Sequence, residues 1–316
     1  EIEFSDWSSD VCSSDLVGHP LVVLYRLFSY ERGMSFMSQC EGCASAGSCG
    51  GSCPSGQEQQ LTEAQKHTNI KNIIVVMSGK GGVGKSSFSS VLAMALRKRG
   101  FEVGLMDADI TGPSIPKLFG VSHQPAMGEY GIEPVKSKSG ISLMSMNFLL
   151  PHDDDPVVWR GALITGVVQQ FITDVCWGDL DYLVVDMPPG TGDVPLTIMQ
   201  SMKVGGVLMV TTPQGLSNMV VRKGLKMIEL MNVPALGIAE NMSYVRCPNC
   251  DERINIFGES HVQETCDKFQ VPLIGQFPLD PHLAEMGDAG DIESYDGEVL
   301  ALLTESLDSM LKGLGE

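Results

Sequence analysis

A glycine-rich loop between an apolar run and a helical segment is the feature that most constrains the fold of this chain. Residues 79–87 read G-K-G-G-V-G-K-S-S and follow the apolar run 73–77 almost directly. Glycines let backbone N–H groups approach a phosphate closely, and the start of the following helix adds a positive dipole. In this strand–loop–helix context the pattern G-x-x-x-x-G-K-[ST] predicts a phosphate-binding P-loop.

The loop and two acidic strand ends together predict a site for ATP and Mg²⁺. Lys85 is expected to reach the β and γ phosphates, and the Ser86 hydroxyl to ligate Mg²⁺. Asp107, Asp109 and Asp186 follow apolar runs, and phosphoryl transfer needs such carboxylates for metal and water. The expected nucleotide-binding loop residues are Gly79, Lys80, Gly81, Gly82, Val83, Gly84, Lys85, Ser86 and Ser87.

Further apolar runs predict the rest of an α/β fold. They are continuous, as in parallel strands buried on both faces, and helix-length segments separate them. The alternation predicts a doubly wound, mostly parallel sheet. In the helix after the loop, apolar positions face one side and Gly100 is the predicted stop. The runs are 73–77, 103–106, 182–185, 207–210, 236–239 and 273–277.

Composition argues against some classes of partner. The formal net charge of −18 is opposite to that of a broad nucleic-acid-binding surface. No apolar run approaches the roughly 20 residues of a membrane-spanning helix, so we expect neither nucleic acid nor membrane as a partner. Six of the nine cysteines lie in short-spaced clusters, which favours metal ligation in a reducing, cytoplasmic compartment over disulfides.

The chain divides into three segments by composition. Residues 1–33 show no sustained period and are expected to be an extension that is foreign to the natural protein. Residues 34–68 hold four cysteines among Gly, Ser, Ala and Gln, and are expected to form a flexible metal-binding tail. Residues 69–316 are expected to form the nucleotide-binding domain.

Two groups of cysteines are candidate metal ligands. Cys247 and Cys250 form a Cys-x-x-Cys turn, a spacing that suits either zinc or an iron–sulfur cluster. Both kinds of site want four ligands, so we expect a second subunit to supply the other pair. Cys176 and Cys266 are expected to be small buried hydrophobic side chains. The tail offers a full set of four thiols at Cys40, Cys43, Cys49 and Cys53.

Several longer motifs give the chain a specific resemblance. They are G-K-G-G-V-G-K-S, D-A-D-I-T-G-P-S at 107–114, V-V-W-R-G at 157–161, W-G-D-L-D-Y at 177–182, D-M-P-P-G-T-G-D at 186–193, T-T-P-Q at 211–214 and E-N-M-S-Y at 240–244. From about residue 69 to 283 the chain resembles the Mrp-like iron–sulfur cluster carrier ATPases. These belong to the superfamily of MinD, ParA and the nitrogenase iron protein, whose P-loop is of the deviant Walker A type.

The resemblance implies a role for each residue of the nucleotide site. Lys80 is the signature lysine, which in the superfamily crosses the dimer interface to the partner's phosphates. Asp109 positions or activates the attacking water, and Asp107 supports Asp109 in this role. Asp186 binds Mg²⁺ through water. Asn241 recognises adenine. ATP hydrolysis and dimer geometry are then expected to be coupled.

The resemblance also favours iron–sulfur over zinc. In these carriers the Cys-x-x-Cys turn holds a labile 4Fe-4S cluster between two subunits and passes it to apo-proteins. This implies a homodimer, or a heterodimer with a related subunit. The tail spacing Cys-x2-Cys-x5-Cys resembles the second cluster motif of the eukaryotic cytosolic scaffold branch. That branch has an upstream cysteine where this chain has Arg26, so Cys53 is the expected fourth ligand and Cys12 a second choice.

Two other functions fit the P-loop alone. A MinD- or ParA-like ATPase that organises on membrane or DNA needs a basic tail or surface, but residues 299–314 carry Glu305 and Asp308 against one lysine, Lys312. A reductase like the nitrogenase iron protein takes its cluster ligands from widely separated single cysteines. A carrier therefore remains the leading hypothesis.

Overall fold

The computed structural model describes residues 61–109, 112, 114–149 and 161–314, and within them residues 63–314 belong to one compact unit. Its strands are β1 (Thr68–Ser78), β2 (Val103–Asp107), β3 (Ala126–Met127), β4 (Ile132–Glu133), β5 (Val135–Lys136), β6 (Ser142–Ser145), β7 (Gly178–Asp186), β8 (Gly206–Thr211), β9 (Ala235–Arg246), β10 (Arg253–Ile254) and β11 (Leu273–Pro278). Its helices are α1 (Glu63–Lys66), α2 (Lys85–Lys98), α3 (Ile115–Phe119), α4 (Gly161–Thr173), α5 (Asp193–Ser201), α6 (Gly215–Leu230), α7 (Val262–Phe269), α8 (Pro281–Asp288) and α9 (Glu298–Leu311).

The main sheet confirms the predicted doubly wound architecture. Among the described residues its order is β10-β9-β8-β1-β7-β2-β6-β5, with β11 pairing to β9. The pairs from β9 through β6, and β11 with β9, are parallel, whereas the outer strands β10 and β5 pair antiparallel. All six predicted apolar runs fall within strands of this sheet.

Both faces of the central strands are buried. Along β1, Ile74 and Val76 pack in one cluster with α2 and α9, while Val75 and Met77 alternate with them and are also fully buried. A strand that is covered on both sides needs a continuous apolar run, which is the pattern that the sequence carries.

Strand ends bring the acidic and glycine-rich segments together. Asp107 ends β2 and Asp186 ends β7, and the two residues are paired in register across these neighbouring strands. The P-loop leaves the same edge of the sheet from the end of β1. Helix α2 begins at Lys85 and ends before Gly100, whose φ of 91° is the left-handed conformation expected of a helix stop. None of the described helices is long and apolar enough to cross a membrane.

Candidate functional site

The loop after β1 forms an open pocket of about 220 Å³. Gly82 and Gly84 have φ of 77° and 76°, a left-handed backbone that side chains disfavour. Gly84 also lies directly before the N-terminus of α2, so the helix dipole points at the pocket. The pocket is lined by Ser78, Lys80, Gly81, Gly82, Gly84, Lys85, Ser86, Ser87, Asp109 and Pro189.

Three side chains of α2 converge on the carboxylate of Asp186. The Lys85 ammonium lies 2.8 Å from Oδ2, and Ser86 donates a hydrogen bond of 2.6 Å to the same oxygen. Ser89 donates to Oδ1, also at 2.6 Å. Asp186 is fully buried and Lys85 nearly so. The hydroxyl and carboxylate oxygens are ligands that Mg²⁺ accepts, so Ser86 and Asp186 fit the predicted metal site.

Asp107 lies beneath the site as a buried carboxyl with several neutral donors. Its Oδ2 accepts from the N–H of Ser114 at 3.1 Å, the N–H of Ile115 at 3.3 Å and the Ser145 hydroxyl at 3.1 Å. Burial, and then the nearby charge of Asp186, raise the pKa of Asp107 from 3.8 to about 7. Asp107 therefore anchors the strand end beside Asp186, and its contribution to Mg²⁺ binding stays a prediction.

Lys80 is held within its own chain. Its ammonium donates a hydrogen bond to Oε1 of Gln214, the residue before α6. The start of α6 also lies against Gly79, where an added Cβ would come within 2.9 Å of the Val220 Cβ. The amide of Gln214 is neutral, so this contact places no opposing charge beside Lys80. The first turns of α6 thus lie directly over the phosphate loop.

Asn241 supports the loop from below. Its side-chain amide donates a hydrogen bond of 2.9 Å to the carbonyl of Val83, and the side chain is buried. The same amide nitrogen would lie 2.5 Å from a Cβ at Gly84, so a side chain there would displace the Asn241 amide. Asn241 therefore supports the phosphate loop through Val83, and its predicted part in binding the nucleotide, including recognition of adenine, stays a prediction.

The Cys-x-x-Cys turn lies at the far end of β9. Cys247 follows the last residue of the strand and is half-buried, whereas Cys250 is exposed. The N–H groups of Asn249 and Cys250 donate to the Cys247 sulfur and, with the Cys250 side chain, lower the pKa of that thiol. A lowered pKa favours the thiolate, which is the form that ligates metal. Two thiols are thus presented on one preorganised turn.

A charged network fixes this turn to α9. Arg246 donates two hydrogen bonds of 2.6 Å to the carboxylate of Glu298 and reaches Asp251 in the turn at 3.3 Å. Tyr244 donates to the same Glu298 at 2.9 Å, and the Arg253 guanidinium lies 4.3 Å from the Tyr244 ring centroid. Paired, bidentate contacts of this kind restrict orientation more than a single ion pair does.

The remaining cysteines fall into two groups. Cys266 is buried, and burial raises the pKa of its thiol to about 11, as expected of a packing residue. Cys176 is half-buried, and its thiol lies 3.8 Å from the carbonyl of His67. No group of three or more metal-ligating side chains occurs in the described part of the chain. Cys12 and the tail cysteines Cys40, Cys43, Cys49 and Cys53 lie outside the described residues.

Comparison with known proteins matches residues 69–311 to the ParA family model, described as the NUBPL iron-transfer P-loop NTPases. The chain belongs to this family. The match covers β1 from its second residue, the phosphate loop and the later strands and helices through α9, together with the Cys-x-x-Cys turn. The P-loop NTPase fold expected from the sequence is therefore confirmed.

Relatives of this P-loop NTPase are found in bacteria and archaea. It is 41% identical over 286 residues to the iron-sulfur cluster carrier protein of Clostridium perfringens, covering 86% of this chain and 100% of the relative. It is 44% identical over 260 residues to the carrier protein of the same name from Methanocaldococcus jannaschii, covering 80% and 90%.

Solved structures give the same picture of the fold. A nucleotide-binding protein from Archaeoglobus fulgidus, solved in complex with ADP, is 42% identical with a TM-score of 0.67, over 76% of this chain and 96% of that one. The cell division ATPase MinD of Pyrococcus furiosus has a TM-score of 0.55 at 21% identity, over 77% and 99%, which is a likeness of fold alone.

Sequence reasoning missed three polar partners of this NTPase site. Ser89 lies one helical turn after Ser86, so the i, i+3 spacing on α2 was an available signal. Gln214 falls in the quoted T-T-P-Q motif, but nothing in that motif indicates a contact with Lys80. Ser145, whose hydroxyl donates to Asp107, lies on β6, a strand that none of the apolar runs predicted.

Proposed function

We propose that this chain is an ATP-dependent carrier that holds a labile 4Fe-4S cluster and passes it to apo-proteins. The observation that carries the proposal is the pair of thiols at the end of β9, the strand whose Asn241 supports the phosphate loop. A chain that only bound nucleotide would have no use for two thiols presented on one turn. The relatives named as iron-sulfur cluster carrier proteins support this choice.

ATP would bind at the P-loop with its phosphates against the backbone N–H groups and Lys85. Ser86 and Asp186 would hold Mg²⁺, which neutralises charge on the phosphates. Asp109 lines the pocket and would position the attacking water. Lys80 would leave Gln214 and stabilise the transferring phosphoryl group of the partner subunit. Hydrolysis would then control the geometry of a dimer.

A second copy of the chain would complete the cluster site. Cys247 and Cys250 supply two of the four thiolates that a 4Fe-4S cluster takes, and two copies supply four. Ile254, Ile256 and Phe257 follow the turn and are exposed by 49%, 43% and 38%. Apolar side chains beside the thiols would pack against the same side chains of the partner and exclude water from the cluster.

The tail cysteines are proposed to hold a second cluster, with Cys53 as the fourth ligand. Both sites need thiolates, which persist in the reducing cytoplasm. Apo iron–sulfur proteins are the proposed clients, and a related subunit could replace one copy in the dimer.

Anaerobic reconstitution with iron and sulfide tests the C-terminal site. In a background with the four tail cysteines changed to serine, the chain should bind iron and sulfide with the absorption of a 4Fe-4S cluster. Cys247→Ala with Cys250→Ala should abolish this absorption, and the control Cys176→Ala should retain it. Stoichiometric zinc without sulfide would overturn the proposal.

Molar mass measured by light scattering during gel filtration tests the proposed dimer. The reconstituted protein should be a dimer with one cluster for two chains. Ile256→Ser with Phe257→Ser should weaken the dimer. Leu230→Ser should not weaken it, since Leu230 lies on α6 and its side chain is 85% exposed. A monomer that retains a full cluster would contradict a shared site.

A further inference from the structure

Two adjacent residues of β9 connect the phosphate loop with the segment that carries the cysteine turn. We call residues 247–260 the cysteine segment, since it leaves β9 at Cys247 and returns at Ser260 before α7. Asn241 contacts Val83 in the phosphate loop, as described above. Glu240, its neighbour in the chain, contacts Ser260 at the end of the cysteine segment. Successive side chains of a strand point to opposite faces. The Asn241 contact and the Glu240 contact therefore lie on opposite faces of β9 and are joined by the single peptide bond between these residues.

Glu240 is a buried carboxylate with neutral donors. It is 1% exposed, and its Oε2 accepts from the Ser243 hydroxyl at 2.9 Å and from Gln276 Nε2 at 2.8 Å. Its Oε1 accepts from the Ser260 hydroxyl at 2.7 Å. A buried carboxylate that loses a donor bears a large desolvation cost, so these contacts resist separation. Glu240 is thus a firm attachment point on β9.

Ser260 fixes the end of the cysteine segment to that attachment point. While its hydroxyl donates to Glu240, the same oxygen accepts from the Val262 N–H at 3.3 Å, in the first turn of α7. At its other end the segment continues directly from β9 at Cys247. Cys247 lies six positions after Asn241, a span of no more than about 20 Å in an extended strand. Both ends of the segment are therefore tied to the strand that supports the phosphate loop.

We propose that Glu240 and Ser260 are positioning residues that transmit nucleotide occupancy of the phosphate loop to Cys247 and Cys250. The inference rests on the proposed function. Phosphates that order the loop fix the Val83 carbonyl and, through Asn241, the Glu240 peptide. With Glu240 fixed, Ser260 holds the cysteine segment closed. When the nucleotide leaves, the loop no longer fixes Asn241 and the Glu240 peptide, so the restraint on the cysteine segment weakens and the half-buried Cys247 and its neighbour Cys250 react more readily.

Alkylation of the cluster-free protein tests this coupling without any metal. Iodoacetamide labelling of Cys247 and Cys250, followed by peptide mass spectrometry, separates these thiols from the other cysteines. Saturating MgATP should slow their labelling by about fivefold, the lower range of ordinary coupling between sites. Ser260→Ala should abolish this response and change the affinity for nucleotide by no more than the same factor of about five.

Two matched variants distinguish coupling from a loss of structure. Ser243→Ala removes a different donor from the same Glu240 carboxylate but does not touch the cysteine segment, so it should retain the response. Ser260→Thr keeps the hydroxyl and should restore it. A Ser260→Ala protein that responds like the wild type would overturn the inference.

A nucleotide titration separates the two levels of the proposal. If fluorescent ATP does not bind the wild-type chain, the proposed function fails. If ATP binds but does not change the labelling of the wild-type Cys247 and Cys250, only the coupling fails.

Discussion

Asn241 donates its side-chain amide to the carbonyl oxygen of Val83, so the phosphate-binding loop rests on the strand that ends at the cysteine turn. The contact is buried, and it lies directly below Gly84. Glycine is therefore favoured at position 84 for two separate reasons. The backbone there is left-handed, and the Asn241 amide occupies the space that a side chain would need.

Gly82 and Gly84 allow these two reasons to be separated. Both have φ near 77°, but an added Cβ at Gly82 meets nothing within 4 Å, whereas one at Gly84 lies 2.5 Å from Asn241 Nδ2. Gly82→Ala should therefore cost only the left-handed strain of about 1 kcal/mol. Gly84→Ala should cost at least about 2 kcal/mol more, because Asn241 must move. Urea unfolding measures both, and equal losses would refute the steric argument.

Ser89 should matter for Mg²⁺ although it does not face the pocket. Ser89→Ala removes the hydrogen bond to Oδ1 of Asp186 and leaves that carboxylate less well oriented. The loss of a buried charge-assisted bond should lower the free energy of unfolding by about 2 kcal/mol. The Mg²⁺ concentration for half-maximal ATP hydrolysis should rise by about tenfold, since ligand-orienting partners have effects of this size.

Ser90→Ala is the matched control for this change. Ser90 is the next residue of α2, and its hydroxyl donates to the backbone carbonyl of Ser86. It should leave the Mg²⁺ dependence of hydrolysis unchanged. An equal shift for both variants would show that the effect belongs to the helix and not to Asp186.

Lys80→Ala should separate catalysis from binding. The ammonium is one of the cations at the pocket, and a cation that contacts the transferring phosphoryl stabilises mainly the transition state. The turnover number should fall by about 100-fold or more, while the dissociation constant for ATP changes little. Lys203→Ala, at an exposed position, is the control. Unchanged turnover in Lys80→Ala would remove the catalytic role.

Asp107 should give the stability of the metal-free protein a characteristic pH dependence. Its pKa is about 7 in the folded chain and 3.8 ordinarily, so between these values the folded state binds the extra proton. The resulting stabilisation is complete below pH 3.8 and is lost as the pH rises through 7. The asparagine of Asp107→Asn cannot ionise, so this variant should lack the pH-dependent loss of unfolding free energy. In the unchanged chain that loss amounts to at most about 4 kcal/mol. Urea unfolding in EDTA from pH 4 to 8 measures it, and parallel curves would contradict it.

Those parts of the site that depend on strand ends and on short spacings in the sequence could be predicted from the sequence. Asp107 and Asp186 meet because parallel strands end at one edge of the sheet, and the P-loop and the Cys-x-x-Cys turn are each local in sequence. Contacts such as Lys80 with Gln214 and Glu240 with Ser260 join residues that are far apart in the chain. No periodicity marks them, since they depend on how α6 and the cysteine segment pack.

The hydrogen bonds that lower the pKa of Cys247 have a second consequence. A lowered pKa increases the fraction of thiolate, which is the form that peroxide oxidises to a sulfenic acid, and the sulfenic acid then condenses with a nearby thiol and releases water. Cys250 is three residues away on the same turn, so oxidation of the metal-free protein by peroxide should first join these two sulfurs and block metal entry. The turn that makes the site ready for iron therefore also makes the unloaded protein sensitive to peroxide, and a thiol reductant should restore its capacity.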